Sequence, residues 1–170
     1  LEARAKTDDA LRVTENLRLR QLHALSLSKS GAPESARDYL EPYFKNLAER
    51  QVASLREFEI WLKDVNELEA VVSEDACWRQ IRMTCDTTDK SLEEAFNYFY
   101  QEIQPKFQPY SDLLNKKLVE SSFTKELDQN KYFTYLRNVR KNIELYRESN
   151  IPIQADINVL QQQYGQIAGE

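Results

Sequence analysis

Metal-binding and nucleophilic side chains are few in this sequence. Its 170 residues include one histidine, His23, and two cysteines, Cys77 and Cys85. A zinc site needs three or four converging nitrogen, sulfur or carboxylate ligands. On one helix the two cysteines would point about 80° apart and lie about 12 Å apart along the axis, too far to form a disulfide. The sequence therefore predicts no metal site and no cofactor, and two buried cysteines that pack as small hydrophobic groups.

Acid–base chemistry has no recognisable centre either. His23 has no serine or cysteine nucleophile near it in a triad or elbow context, so we expect a surface or partly packed histidine. Carboxylates that are close in sequence, such as Glu67 and Glu69 or Glu93 and Glu94, do not face each other on a helix. These pairs predict a solvated face, and we predict no catalytic residue.

The composition favours helices. The sequence is 41% hydrophobic and 30% charged, and no glycine lies between Ala32 and Tyr164, whereas turn-rich β folds need several. A net charge of −5 argues against nucleic-acid binding. No apolar run is long enough to span a membrane, and two cysteines are too few for a disulfide framework. We predict a cytoplasmic all-α protein of six to eight amphipathic helices with no sheet.

Apolar spacing and capping residues locate these helices. Ser54 and Glu57 form a capping box before the strongest one, which shows a possible break near Ser73. Pro42 predicts that the first helix starts near Glu41, and Pro105 and Pro109 are expected to bend or interrupt the chain. The predicted core positions include Phe58, Trp61, Leu62, Val65, Leu68, Trp78, Ile81, Met83, Leu92, Phe96, Phe99, Ile103, Leu113, Leu114, Leu118, Leu136 and Val139.

The last predicted helix carries Ile153, Ile157, Leu160 and Tyr164 on its core face, with Gly165 as a residue that ends it. Aromatic residues cluster earlier, where Phe96 and Phe99 fit a core stripe while Tyr98 and Tyr100 fall on other faces. The two tyrosines are expected to pack between helices, and lining of a binding channel is the alternative. Arg79 and Arg82 are expected to form structural ion pairs.

The first thirty residues form a separate segment. A Ser/Gly/Pro-containing run separates residues 1–30 from a helical domain at residues 36–170, with residues 31–35 as the linker. The segment's candidate partner-binding residues are Leu17, Leu19, Leu22, Leu25 and Leu27. Their spacing resembles a nuclear export signal, but an amphipathic helix gives the same spacing by chance, and a short strand is also compatible with it.

Several longer strings carry a family resemblance. They are Glu67-Leu-Glu-Ala70, Trp78-Arg-Gln-Ile-Arg-Met-Thr-Cys-Asp-Thr-Thr88, Pro109-Tyr-Ser-Asp-Leu-Leu-Asn-Lys-Lys-Leu118, Asn150-Ile-Pro-Ile153 and Gln163-Tyr-Gly-Gln-Ile167. From Tyr39 to Gly169 the chain resembles the N-terminal helical region of the oligoendopeptidase F branch of the thimet-type zinc metallopeptidases. Residues 1–35 match nothing in that family.

The resemblance implies a helical lobe that walls one side of a deep substrate channel. In this family the zinc-binding His-Glu-x-x-His helix lies in a later domain, and this sequence has no such motif, so the isolated chain is expected to be inactive. Glu170 falls about where the catalytic part would begin. An alternative is an engineered helical scaffold that presents a protein-binding segment. A protein or peptide partner is expected in either case, and the sequence does not set the oligomeric state.

Overall fold

The computed structural model of the protein describes residues 33–169. The predicted partner-binding residues Leu17, Leu19, Leu22, Leu25 and Leu27, together with His23, lie outside the described residues. Within them every regular element is helical, which confirms the predicted all-α class. The α-helices are α1 (Pro33–Glu49), α2 (Leu55–Cys85), α3 (Lys90–Tyr98), α4 (Gln104–Glu120), α5 (Gln129–Leu145) and α6 (Ile151–Gly169).

The predicted number of helices is wrong. A π-helical turn, Phe99–Ile103, joins α3 to α4 without a gap, so the described residues form five continuous helices and not six to eight. Short 3-10 turns, Ser122–Lys125 and Glu148–Asn150, precede α5 and α6. The long helix α2 has 31 residues and shows no break at Ser73.

Prolines interrupt the helices less than their sequence positions predict. Pro42 lies inside α1, which begins at Pro33 and not near Glu41. Pro105 and Pro109 both lie inside α4. A proline cannot bond to the carbonyl four residues earlier and its ring crowds that carbonyl. The wider π turn directly before α4, in which the Gln104 amide donates to Phe99, gives the ring of Pro105 room.

Capping residues set the start of α2, as the Ser54–Glu57 capping box predicts, and also the start of α3. The Ser54 hydroxyl accepts from the Glu57 amide at 3.3 Å, and the Glu57 carboxylate accepts from the Ala53 amide at 2.9 Å. Asp89 accepts from the Ser91 amide at 2.8 Å. The Ser54 and Asp89 contacts each satisfy an amide that the first helical turn leaves unpaired, and the Glu57 contact ties the residue before the cap to the helix.

The core lies where α1, α2, α4 and α5 meet. Trp61 is fully buried, and its indole nitrogen donates to the Leu47 carbonyl at 2.9 Å. Phe44 of α1 stacks on Phe107 of α4 with ring centroids 4.9 Å apart. The other core residues with almost no exposed surface are Phe58, Leu68, Ile103, Leu114, Leu118 and Leu136. The structure therefore confirms three predicted core faces. They are α2 up to Leu68, the continuous rod of α3, the π turn and α4 (the α3–α4 rod) at Phe96, Phe99 and Ile103, and α5 at Leu136 and Val139.

Lys117 joins three of these helices, a role that the sequence pattern did not predict. Its ammonium donates to the Leu47, Ala48 and Arg50 carbonyls at 2.9, 2.9 and 2.6 Å, and it lies 5.3 Å from the centre of the Trp61 ring. A cation at the carboxyl end of α1 pairs with carbonyls that the last helical turn leaves free. Burial lowers the pKa of Lys117, and the positive charge of Arg50 lowers it further, while the three carbonyls favour the charged form.

The last third of α2 departs from its predicted core face. Trp78 and Ile81 are 43% and 41% exposed, whereas Asp75 and Met83 are buried. The Arg79 guanidinium bonds to Asp75 at 2.9 Å and to the Ala95 carbonyl at 2.9 Å, which confirms its structural ion pair. Because this pair occupies the side of α2 that faces α3, the apolar residues beside it turn outward.

Two further predictions of burial are wrong. Cys77 and Cys85 are exposed, because they lie on the outward side of the same end of α2. Leu113 of α4 is 48% exposed, since the neighbouring positions Asp112 and Leu114 take the buried side.

Candidate functional site

A cleft opens between the end of α2, the α3–α4 rod and α6. Its volume is about 600 Å³, within the range of small-molecule and peptide pockets. We call it the amide cleft, because side-chain amides are its most frequent polar groups. It is lined by Gln80, Met83, Thr84, Thr87, Phe96, Tyr100, Asn158, Gln161, Gln162 and Gly165.

Every residue that lines the amide cleft is uncharged, although 30% of the chain is charged. Charged ligands need a charged or metal partner once they lose water. The lining instead offers amides and hydroxyls beside an apolar floor of Met83 and Phe96, which are both buried. The cleft thus suits a neutral ligand that has both hydrogen-bonding and apolar groups.

Gln162 is the most unusual residue of the cleft. It lies on α6, and only 5% of the residue is exposed. Within the described part of the chain, neither its amide nitrogen nor its amide oxygen has a hydrogen-bond partner. A buried polar group without a partner costs roughly 1–3 kcal/mol. Both atoms are closed to solvent, so the burial of Gln162 is a cost to the packing of α6 and does not offer a donor and an acceptor to the cleft.

Tyr100 connects the cleft to the core. Its half-buried ring packs on Phe96, with centroids 4.6 Å apart, and edge-on to Phe99 at 5.3 Å. Burial raises the pKa of its phenol, and the charge on Cys77 acts in the same direction. Tyr100 thus packs between helices as predicted, and it also lines this cleft. Tyr98 packs against the core.

Gly165 lies inside α6 and does not end it, contrary to the sequence prediction. A Cβ atom at this position would have no atom within 4 Å. The space above Gly165 is therefore part of the cleft, and no close backbone contact requires glycine there.

The face of α6 opposite the amide cleft is apolar and exposed, which contradicts its predicted burial. We call it the α6 stripe: Ile153, Ile157, Leu160, Tyr164 and Ile167, with exposed fractions of 56%, 40%, 62%, 74% and 74%. The buried positions of α6 are instead Ala155 and Gln162. At 100° per residue the stripe points about 170° away from them, so α6 packs on the bundle with its less apolar side.

A second, more polar cleft of about 440 Å³ lies between α4, α5 and the start of α6. The buried carboxylate of Asp112 lines it and pairs with Lys116 at 2.6 Å, and this hydrogen bond is the main cause that raises the pKa of Lys116. Lys116 also lies 6.0 Å from the centre of the Tyr146 ring. These contacts join α4 to the end of α5. The polar groups of this cleft therefore have a structural role in holding the two helices together.

Residues 33–169 contain no cluster of three or more histidine, cysteine, aspartate or glutamate side chains placed to hold a metal ion. Among the same residues, no helix combines the length and apolar character needed to cross a bilayer.

The comparison with protein families agrees with the fold. The family model described as the peptidase M3 N-terminal domain matches residues 34–146, which is more than half of the chain. The chain belongs to this family, which confirms the resemblance drawn from the sequence. No curated protein and no solved structure matches the chain.

The sequence pattern did not mark Gln162 as a lining residue, and it assigned Gly165 to a helix end. Both lie beyond the residues that the family model matches. A glutamine on the side of a helix opposite its apolar stripe is an ordinary surface residue by pattern, and only packing against the α3–α4 rod buries it.

Proposed function

We propose that the chain is the non-catalytic helical lobe of an M3-type peptidase and forms one wall of its substrate channel. Membership of the peptidase M3 N-terminal family supports the assignment to such a peptidase. The family resemblance in the sequence implies that zinc and its ligands lie in another domain. The lobe would restrict which peptides reach the metal and would supply no reacting group.

The α6 stripe carries this proposal. Its spacings of four, three, four and three residues repeat those of a helix that packs along one seam. Soluble proteins seldom expose a continuous apolar surface of this kind unless something covers it. Because α6 already packs on the bundle with its opposite side, we assign the stripe to contact with the rest of the peptidase.

The proposed contact predicts a binding result. The 170-residue chain, added to the catalytic part of an M3 peptidase expressed without its own N-terminal domain, should bind it and restore zinc-dependent cleavage of a quenched peptide. Leu160→Glu places a charge in the seam, and we expect it to weaken binding at least tenfold, because an unpaired buried charge costs several kcal/mol. Titration calorimetry measures the binding.

Phe133→Glu is the matched control. Phe133 lies on α5, and its exposed fraction of 62% equals that of Leu160. It should leave binding unchanged. Equal loss in both variants, or wild-type binding by Leu160→Glu, would contradict the assignment of the α6 stripe.

A further inference from the structure

The solvent side of α5 carries positive charges that lack acidic partners. Four exposed residues, which we call the α5 cation face, lie within an arc of about 100° on this helix: Phe133, Arg137, Arg140 and Lys141. None of the ion pairs formed among residues 33–169 includes one of these three cations. The chain as a whole has a net charge of −5, so this face is a local exception.

The like charges of the face repel one another in the isolated chain. Arg137 lies three residues before Arg140 and four before Lys141, and like charges at these spacings destabilise a helix. Glu144 is the one acidic residue of α5, and no ion pair joins it to a cation of the face. An acidic partner would remove the repulsion, and the planar fork of an arginine suits a carboxylate.

Phe133 adds an apolar contact to the face. Its ring is 62% exposed, and the Arg137 guanidinium lies 5.9 Å from the centre of the ring. The ring thus already holds one cation, while much of its surface remains open to an apolar side chain. A partner that fits the face should therefore carry an apolar residue beside its carboxylates.

The spacing along α5 matches that of an extended chain. Phe133, Arg137 and Lys141 follow one another at intervals of four residues, which is about 6 Å along the helix axis. Side chains on one side of an extended segment repeat every two residues, or about 6.6 Å. An extended segment with the pattern apolar–x–acidic–x–acidic, in either chain direction, can therefore place one side chain opposite each of the three residues.

We propose that the α5 cation face binds an extended acidic segment of another protein, whose carboxylates pair with the three cations while its apolar residue packs on Phe133. This contact differs from the one that we assign to the α6 stripe, and it does not rest on the proposed lobe function. A short segment meets only the local positive charge. A bilayer or a nucleic acid is an extended polyanion and also meets the net negative charge of the whole chain, so the charge balance favours a protein segment.

The probe is N-acetyl-Leu-Ser-Glu-Ser-Glu-Ser-Leu-amide, which has the required pattern in both chain directions. Titrated at low ionic strength into the ¹⁵N-labelled 170-residue chain, it should shift the backbone amide resonances of α5 in a saturable manner. Binding should weaken roughly tenfold in about 1 M salt, where the Debye length is about 3 Å.

Two control peptides test the charge and the spacing of the segment. Replacement of both glutamates by glutamine should weaken binding roughly tenfold, because each exposed charge pair contributes about threefold. N-acetyl-Leu-Ser-Ser-Glu-Glu-Ser-Leu-amide has the same composition but turns its carboxylates to opposite sides of an extended chain. It should bind roughly threefold more weakly than the probe.

Matched variants separate the face from the net charge of the chain. The double variant Arg137→Gln and Lys141→Gln should weaken binding roughly tenfold. The double variant Lys90→Gln and Lys106→Gln removes the same charge from exposed positions of α3 and α4, and it should bind like the wild type. Phe133→Ala should weaken binding roughly threefold, because the apolar contact is lost. All these positions are exposed, and circular dichroism verifies that each variant is folded.

Equal binding by the wild type and the double variant of Arg137 and Lys141 would overturn the proposal, as would equal binding of either control peptide. The absence of any saturable shift would overturn it too. Binding to phosphatidylserine vesicles that is tighter than peptide binding, and that the same double variant loses, would show that the face recognises an anionic lipid surface instead. Leu160→Glu should retain full peptide binding, so a failure of the α6 stripe to bind the catalytic part leaves this test unaffected.

Discussion

The four-helix core and α6 bury their apolar residues in opposite ways. In the core, Trp61, Phe44 and Leu136 belong to one cluster and are almost fully buried. In α6, the buried positions are Ala155 and Gln162, while Leu160 and Ile167 face outward. The core is complete within the chain, whereas α6 has its larger apolar side free. The core helices thus find partners for their apolar sides within the chain, whereas α6 does not.

The difference shows what apolar periodicity does and does not determine. A period of 3.6 residues defines which side of a helix is apolar. The period does not tell whether the surface that covers the apolar side belongs to the same helical bundle or to another body. In α6 the uncovered side is the more apolar one, and the proposed contact with the rest of a peptidase accounts for this exposure.

The largest expected effect tests the contrast directly. Trp61→Ala removes a fully buried ring and its hydrogen bond to Leu47, so we expect a loss of about 3–5 kcal/mol of unfolding free energy. Leu160→Ala, at a position 62% exposed, should change it by less than about 0.5 kcal/mol in the isolated chain. Urea unfolding followed by circular dichroism measures both. Similar losses of unfolding free energy in the two variants would contradict the contrast between a buried core and an exposed α6 stripe.

A substitution of Lys117 tests how much its hydrogen bonds at the end of α1 stabilise the core. Lys117→Met keeps most of the apolar stem but removes the hydrogen bonds to the Leu47, Ala48 and Arg50 carbonyls. We expect a loss of about 2–3 kcal/mol, because charge-assisted hydrogen bonds near a helix end are stronger than neutral ones. Lys106→Met, which removes an exposed pair with Glu102, serves as the control and should cost less than about 0.5 kcal/mol. An equal effect of both substitutions would show that Lys117 does not cap α1.

Glu69 offers a smaller effect with a defined pH dependence. Burial raises the pKa of its carboxyl above the ordinary value of 4.5, so the folded state disfavours the ionised form. The penalty is absent below the unfolded pKa and develops as pH rises through the folded pKa. Glu69→Gln should therefore stabilise the chain at pH 7 and lose this advantage below about pH 4.

Urea midpoints at several pH values check this prediction. Glu59→Gln, at an exposed position of the same helix, is the control and should show no such gain. A Glu69→Gln advantage that is independent of pH would rule out desolvation of the carboxylate as its cause.

The smallest expected effect is spectroscopic. Burial raises the pKa of Tyr135 to about 12, and the charge of Glu69 contributes in the same direction. In a pH titration at the tyrosinate absorbance band, the difference between wild type and Tyr135→Phe should titrate well above pH 10. In the Glu69→Gln background, the pH at which this absorbance difference titrates should be lower. Titration of Tyr135 near 10 would show that this side of α5 is open to water.

Much of the fold follows from the sequence, for reasons that particular residues illustrate. The capping box at Ser54 and the apolar spacing from Phe58 to Leu68 act within one helix, so they are visible locally. The joining of α3 to α4 was not visible in the sequence. A π turn accommodates Pro105 there, and no residue type predicts such a turn. The exposure of Trp78 depends on the Asp75–Arg79 pair, which a hydropathy pattern does not weigh.

The candidate site was less accessible to sequence reasoning. Tyr100 was considered as a lining residue because it falls off the core stripe of its helix. Gln162 was not, because its burial depends on how α6 lies across the α3–α4 rod. Tertiary packing, and not local spacing, places the two side chains at one cleft.

The proposed helical lobe has no catalytic chemistry of its own. The most direct test of this proposal is zinc-supplemented cleavage of a quenched peptide by the purified 170-residue chain. We predict no cleavage above the rate in buffer, and cleavage only after the catalytic part of an M3 peptidase is added. Zinc-dependent turnover by the chain alone, abolished by a chelator, would contradict the claim.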